Sequence, residues 1–313
     1  MAKQAEGRPD VPRSSGLNRN MQEALTGYLY VGPWIVISLV FTFGAMLYVF
    51  YLSFTDMQIL NEPKLIGIDN YVKVLTDRLF HMALFNTILY AAVVTFLQTL
   101  LALLLAVTLN AKIRGKTFFR SAWYLPSVTS WVVISLIFVW VFQKEGILNY
   151  VLVTLFGWTG FEPVAWLTDV GAHTALPALM AVSIGCTAPI FMLYFLAALQ
   201  DIPEEVYEAA SLDGSVGPHR FFHITVPMLR PIIFLVVVLG TIGSLQVFDQ
   251  VYLMTNGGPL NQTTTINLLI YRSAFTDHRF AYASAMSFIL FVIILSLFLV
   301  QNRLIGGSNT VER

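Results

Sequence analysis

The sequence predicts an all-α integral membrane protein with six transmembrane helices, and three features of its 313 residues carry that prediction. Apolar residues make up 57% and charged residues only 12%, the latter about half of what a soluble domain carries. Stretches without Asp, Glu, Lys or Arg run over 24–55, 79–111, 121–143, 170–200, 231–248 and 280–302. A hydrocarbon core about 30 Å thick needs roughly 20 such residues as helix. Lys and Arg, finally, alternate between loops, with 12 in one set of tails and loops and 6 in the other. The same composition excludes other classes. Eighteen basic residues balance eighteen acidic ones, so there is no field for nucleic acid. The single cysteine, Cys186, has no thiol partner for a disulfide or a Cys-metal site.

Each element follows in chain order. Residues 1–27, polar with Gly, Pro and Ser, read as a disordered tail. The spans are expected at about 29–54, 83–109, 122–142, 174–199, 231–254 and 281–301, within a six-helix membrane domain 28–303 closed by a tail 304–313. The first apolar run is too long for a signal-peptide core and reads as an uncleaved span. The stretch 146–161, interrupted by Asn149, Gly157 and Gly160, is too short to cross and is assigned to an interfacial helix. The fifth gap is short, so its helix is expected to continue through Asp249 to Met254, making that aspartate an intramembrane charge. The basic-rich set comprises both tails and the second and fourth loops, which places both termini in the cytoplasm.

The most distinctive segment lies at 200–230, between the fourth and fifth spans. Asp201 is the expected N-cap of a helix in which Pro203 needs no N–H partner and Glu204 and Glu205 sit at the positive end. Leu212 or Asp213 ends it, Gly214 takes the left-handed closing position, and Gly217-Pro218 restarts the chain at a new angle. A two-helix cytoplasmic elbow results. Ala209 and Ala210 leave a low surface for a partner, and the acidic side chains around them offer polar anchors.

The run Glu208-Ala209-Ala210, followed by Asp213-Gly214, Phe221, Ile224, Pro227 and Pro231, resembles the EAA loop of the membrane subunits of binding-protein-dependent ABC importers. The stretch from Phe248 to Gly257-Gly258-Pro259 resembles the fifth core helix of the carbohydrate-type importers, the maltose-like and glycerol-3-phosphate-like permeases. Gly67-Ile68-Asp69-Asn70-Tyr71, Asn86-Thr87 and Leu125-Pro126 agree, so the likeness covers nearly everything after residue 28. The resemblance implies the type I ABC importer permease architecture. It implies a second, similar permease, two copies of an ATPase carrying ATP and Mg, an extracytoplasmic solute-binding protein, and a bacterial or archaeal cytoplasmic membrane. Glu208, Ala209, Ala210, Asp213 and Gly214 are carried over as the coupling surface on which ATPase closure acts.

No catalytic residue, metal ligand set or cofactor site is expected in this chain. Gly115-Lys116-Thr117 matches the end of a P-loop, but position 110 is Asn110 where the pattern needs glycine. His219 and His223 share an i, i+4 spacing without the acidic companion of a zincin helix. For the substrate path, Ser244 and Gln246 lie a turn deeper than Asp249 and can bond sugar hydroxyls. Ser127 and Trp131 are placed there by the resemblance alone. Where such relatives carry larger polar side chains, this chain has Gly240, Gly243 and Val247. No Lys or Arg falls inside a span, which favours a neutral sugar or oligosaccharide over the alternative of glycerol-3-phosphate or a glycerophosphodiester. An ion-gradient secondary transporter predicts ionisable spans and a repeat. A membrane-embedded enzyme predicts clustered His, Asp or Glu. Of the first signature only Asp249 is found, with no evident repeat, and no cluster of the second kind stands out.

Overall fold

The computed structural model describes residues 16–57, 63–111 and 115–306. Its first unit closes at Tyr51 and its second begins at Leu52. The first unit is one helical rod: α1 (Gly16–Ile37), a π-helical stretch Ser38–Gly44, and α2 (Ala45–Ser53), which runs into the second unit. The expected disordered tail is corrected here, because the chain is helical from Gly16; Gln22, Glu23, Ala24 and Leu25 are good helix formers that extend the apolar run backwards. Residues 1–15 and 307–313 of the two expected tails lie outside the described residues. No residue from Met21 to Tyr51 is buried, although the run is apolar.

The second unit holds α3 (Asp69–Thr76), α4 (Arg78–Asn110), α5 (Lys116–Tyr124), α6 (Trp131–Val141), α7 (Ile147–Phe156) and α8 (Ala175–Gln200). The elbow segment and the chain beyond it supply α9 (Glu204–Leu212), α10 (Gly217–Arg220), α11 (Val226–Met228), α12 (Arg230–Leu245), α13 (Ile266–Tyr271) and α14 (Phe280–Leu304). Among the described residues there is no β-strand, only an isolated bridge between Thr55 and Leu65. The rod Met21–Ser53, α4, α8 and α14 are long and apolar enough to cross a membrane unbroken.

Two spans differ from the sequence expectation. The third, expected straight over 122–142, bends by 99° between the pieces Lys116–Val128 and Trp131–Val141. Pro126 sits in a 3-10 turn, Thr129 is extended, and the Ser130 hydroxyl accepts from the Val132 N–H to start α6 afresh. The fifth does not continue to Met254. Helix α12 stops at Leu245, residues 246–248 are non-helical, and the chain resumes helix at Asp249 before a π-helical turn, Val251–Thr255. Its 16 residues give about 24 Å of helix.

Three buried clusters hold the second unit together. One joins α4, α6, α8 and the segment after α12 through Tyr90, Ile134, Leu179 and Val251. Another joins the far ends of α4 and α8 to α12 through Ala106, Met192, Phe195 and Val236. The last joins α3, α4, α13 and α14 through Val74, Phe80, Ile266 and Met286. Small residues on α4 and α8, with Ala102, Ala106 and Ala188 fully buried, let these two long helices approach closely.

Polar side chains clip the non-helical connections. Asn70 donates to the carbonyls of Ser53 at 2.9 Å and Thr55 at 2.7 Å, closing the corner after α2. Asn86 donates to the carbonyl of Thr264 at 3.0 Å, and Thr87 accepts from the Ile266 N–H at 3.0 Å, pinning the loop after Pro259 to α4. Asn149 donates to the carbonyls of Gln143, Lys144 and Val164, while its Oδ1 accepts from the Val164 N–H and the Trp166 indole. It is 2% exposed. Asn149→Ala strands several buried groups at about 1–3 kcal/mol each. A loss of about 3 kcal/mol lowers the melting temperature in detergent by roughly 6–12 °C. A fluorescence-detected melt of the purified chain checks this, and an unchanged midpoint refutes it.

Candidate functional site

Two regions carry chemistry that the fold alone does not need. The first is the elbow. Helix α9 begins at Glu204 with Pro203 before it, and Asp201, expected as the N-cap, instead closes α8. The helix ends in a Schellman motif: the Ser215 N–H donates to the Ala210 carbonyl at 2.8 Å, and the Gly214 N–H to Ser211 at 3.1 Å. Gly214 adopts φ +75°, and Gly217 φ +57° opens α10. Ala210 is buried, whereas Ala209, Asp213 and Gly214 face outward together with Leu212, which is 90% exposed. Glu208 borders an inner cleft of about 600 Å³ between the elbow and the ends of α4 and α8. In that cleft Arg220 stands 5.3 Å over the Tyr207 ring. His219 and His223 stack at 4.1 Å, their Nδ1 atoms engaged by Ser215 and the His219 carbonyl. No group of three or more metal-ligating side chains occurs among the described residues. Lys116, from the P-loop-like run, donates to the Asn110 carbonyl at 3.3 Å.

The second region is a cavity of about 230 Å³ between α4, α8, the start of α6 and the break after α12. The break forms its wall. Two of the carbonyls there are taken by side chains from the following segment: Asn267 donates to Gln246 O at 2.7 Å and Thr265 to Val247 O at 3.3 Å. Non-helical backbone at membrane depth persists only where such partners exist or where it lines a cavity. On the opposite wall Tyr90 and Ser183 share a hydrogen bond, and Gln250 Nε2 donates to both, at 2.6 Å and 2.5 Å. Thr187 donates to Gln98 Oε1. Gln98 and Gln250 are 1% and 5% exposed, yet Gln98 Nε2 and Gln250 Oε1 have no protein partner. Among the described residues one donor and one acceptor are thus left unpaired and covered behind the cavity surface, an arrangement that costs stability.

Of the residues read from the sequence, Trp131, Ser244, Gln246 and Asp249 line this cavity. Asp249 is exposed on the surface of this chain beside the cavity. Ser127 is not among the lining residues; its hydroxyl donates to the Cys186 carbonyl at 2.8 Å and fastens the third-span bend to α8. Gly240 acquires a reason: a Cβ there would collide with the Gln98 amide. The polar group that the fifth span lacks is supplied by α4 across the gap. Gly243 faces open space. Sequence reasoning missed Tyr90, Gln98, Ser183, Thr187 and Gln250. A signal for most of them exists, since Tyr90, Val94 and Gln98 on α4, and Ser183, Thr187 and Phe191 on α8, each follow an i, i+4, i+8 stripe.

A bundle of straight and broken apolar helices around a half-open cavity with several polar side chains in its walls, and a helical elbow beside the ends of two spans, has the build of a multi-pass membrane transport component. The profile described as "Binding-protein-dependent transport system inner membrane component" matches residues 98–306, and the chain belongs to that family. It is 33% identical over 285 residues to the trehalose/maltose transport system permease protein MalF of Thermococcus litoralis, covering 89% of this chain and 93% of that protein. It is 36% identical over 282 residues to the lactose transport system permease protein LacF of Rhizobium radiobacter, covering 88% and 93%. Among solved structures, a chain of a bacterial ABC transporter involved in the import of the acidic polysaccharide alginate superposes with a TM-score of 0.80 at 22% identity, over 94% of this chain and all of that one. A second structure of a bacterial alginate ABC transporter, in complex with an alginate pentasaccharide-bound periplasmic protein, gives 0.79 at 23% identity, over 91% and 95%. The architecture is that of the type I ABC importer permeases.

Proposed function

We propose that the chain is one permease subunit of an ATP-driven importer and forms half of the pathway for a neutral sugar or oligosaccharide. The observation that carries the cargo class is the cavity. Its lining brings together the hydroxyls of Tyr90, Ser183, Thr187 and Ser244 and the amides of Gln98, Gln246 and Gln250, groups that suit a hydroxyl, which both gives and accepts hydrogen bonds. No Lys or Arg lines it and Asp249 stands among its walls, which disfavours a phosphate ester or other anion. The relatives named for trehalose/maltose and lactose support the same class.

In this reading the elbow faces the cytoplasm with both termini, as the bias of Lys and Arg supports. Its outward surface, Ala209, Leu212, Asp213 and Gly214, with Glu208 beside it, seats in a separate ATPase subunit that carries ATP and Mg. A second, similar permease completes the cavity, and an extracytoplasmic binding protein delivers the sugar at the other face. Movement of the elbow tilts α12, whose lead-in piece Gly217–Met228 meets it at 69°, and so opens or closes the cavity wall.

The test is uptake of radiolabelled neutral sugars by the chain's native cells, with the tagged chain recovered and its co-purifying subunits identified. Co-purification of an ATPase and a second permease, and loss of uptake when that ATPase is made catalytically dead, are expected. Asp249→Asn lowers uptake with the complex still recovered. Uptake that survives the dead ATPase overturns the reading and favours an ion-gradient transporter.

A further inference from the structure

The loop between α6 and α8 carries a helix that neither the cavity nor the elbow uses. Helix α7, Ile147–Phe156, is continued by a 3-10 turn, Gly157–Thr159. Together they lie in a run from Gly146 to Phe161 without Asp, Glu, Lys or Arg, bounded by Glu145 and Glu162. Since α8 leads from this loop to the elbow, α7 stands at the opposite end of the bundle from the elbow. Its 10 residues give about 15 Å of helix, half the thickness of a hydrocarbon core. The residues of α7 that are not exposed, Leu148, Asn149 and Leu152, fall in one strip about 100° wide. Exposed residues run round the rest of the helix: Ile147, Tyr150, Val151, Val153 and Leu155. Trp158, just beyond it, is 85% exposed.

The polar side chains of this segment are turned onto its own backbone. Thr154 donates to the Tyr150 carbonyl at 2.8 Å, Thr159 to Phe156 at 2.7 Å, and the Trp158 indole N–H to Leu155 at 3.1 Å. Asn149 is taken up in joining α7 to the chain just after α6, at Gln143 and Lys144, and to Val164 and Trp166. In water an exposed donor has solvent for a partner, whereas in hydrocarbon it must find one within the protein. A helix lying in the headgroup layer with one face in water carries charged residues on that face, and α7 has none. A protein partner covers one side of a helix. Val153 and Leu155, both exposed, stand about 160° apart around the axis and call for surroundings that close from more than one side.

We propose that α7 and the turn after it are immersed in the acyl chains of the bilayer leaflet opposite the elbow, with the Tyr150 ring at headgroup depth. The partner of this surface is lipid, and neither a second permease nor a binding protein covers it. Beside its spans the chain thus carries a lateral anchor, set deeper than a helix resting on the membrane surface. The Asn149 joint makes that anchor stiff. Helix α6 opens with Trp131 in the cavity wall, and through Gln143 and Lys144 its other end is tied to a body held by lipid. The inference is independent of the cargo, since the exposure and bonding of α7 are the same whatever passes through the cavity.

The experiment uses the full chain, recovered with the subunits that accompany it and reconstituted into vesicles of phosphatidylcholine and phosphatidylglycerol. Cys186, which is 5% exposed, is replaced by alanine, and a nitroxide label is attached singly through Val153→Cys or Leu155→Cys. Spin relaxation by oxygen, which concentrates among acyl chains, is compared with relaxation by a water-soluble nickel chelate. At both positions oxygen is expected to exceed nickel at least threefold. A nickel effect equal to or above that of oxygen at either position places the helix in water and overturns the proposal. Exclusion of both reagents from either position makes that side a protein interface and overturns it equally. A label at Tyr150→Cys is expected to give a lower oxygen-to-nickel ratio than one at Leu155→Cys, and the reverse order overturns the assigned depth. Trp158→Cys, at the most exposed ring of the segment, replaces either variant that is not recovered at parental level. Uptake does not enter the readout, so failure here leaves the cavity reading standing, and failure of the sugar assay leaves the anchor untouched.

Discussion

Gly214→Asp abolishes uptake while the chain remains in the membrane at its normal level. Gly214 closes α9 at φ +75°, a conformation that costs a residue bearing a Cβ about 1–2 kcal/mol. Space is not the obstacle, since nothing lies within 4 Å of where that Cβ would sit. The strain therefore stays local, and the long spans fold as before. Aspartate adds a second fault by placing a negative charge at the negative end of the α9 dipole, on the face proposed to seat in the ATPase. A loss of more than about tenfold in uptake corresponds to only about 1.4 kcal/mol, which strain and charge together exceed. Gly214→Asn is the control, because asparagine tolerates the left-handed region; it retains most of the uptake. Uptake assayed beside pull-down of the ATPase separates the outcomes. If Gly214→Asp transports normally, the elbow is not the coupling surface.

Gln250→Leu is the counterpart in the cavity. Leucine fills a similar volume, and Tyr90 and Ser183 keep the hydrogen bond they share, so folding is little affected. What disappears is a polar amide of the cavity wall and the clamp that Gln250 places on both hydroxyls. One unmade hydrogen bond to a buried guest is worth about 1–3 kcal/mol, or roughly tenfold to a hundredfold in uptake. ATPase activity stimulated by the loaded binding protein should persist, since the elbow is untouched. Parallel loss of both activities marks Gln250 as structural, and retention of both removes it from the pathway.

The spans were legible because their cause is local: an uncharged run of sufficient length answers to the membrane, whatever the neighbours do. The breaks were less legible. The third-span bend has a signature in Pro126 and the Ser130 cap, both visible in the sequence and outweighed by the apolar run around them. The fifth-span break has no glycine or proline at 246–248. It is held open by Thr265 and Asn267, some twenty residues away, and no pattern along the helix reports them.

The cavity was half legible for a related reason. A search for charge finds Asp249 but passes over Tyr90, Gln98, Ser183, Thr187 and Gln250, which are neutral and scattered over three segments. The short motifs that support the family resemblance are mostly joinery: Asn70, Asn86 and Thr87 fasten corners and loops, and Pro126 shapes a bend. They identify the architecture without lining the cavity. The EAA run differs, since its glycine is required by a backbone angle and its neighbours stand bare to solvent.

The interruption after Leu245 has a mechanical consequence. An intact helix resists bending because each degree of curvature stretches hydrogen bonds of its own backbone. At Gln246 and Val247 two carbonyls have already been handed to side chains of the neighbouring segment. The span is therefore a pair of stiff levers with a pre-cut knuckle between them, and the knuckle lies in the wall of the chamber. A push on the elbow end can be absorbed there as rotation, without melting a turn and without disturbing the far lever, which Asn86 and Thr87 anchor to α4 through the loop beyond it. A machine that must open and shut many times has its wear point built where no regular structure needs to be broken.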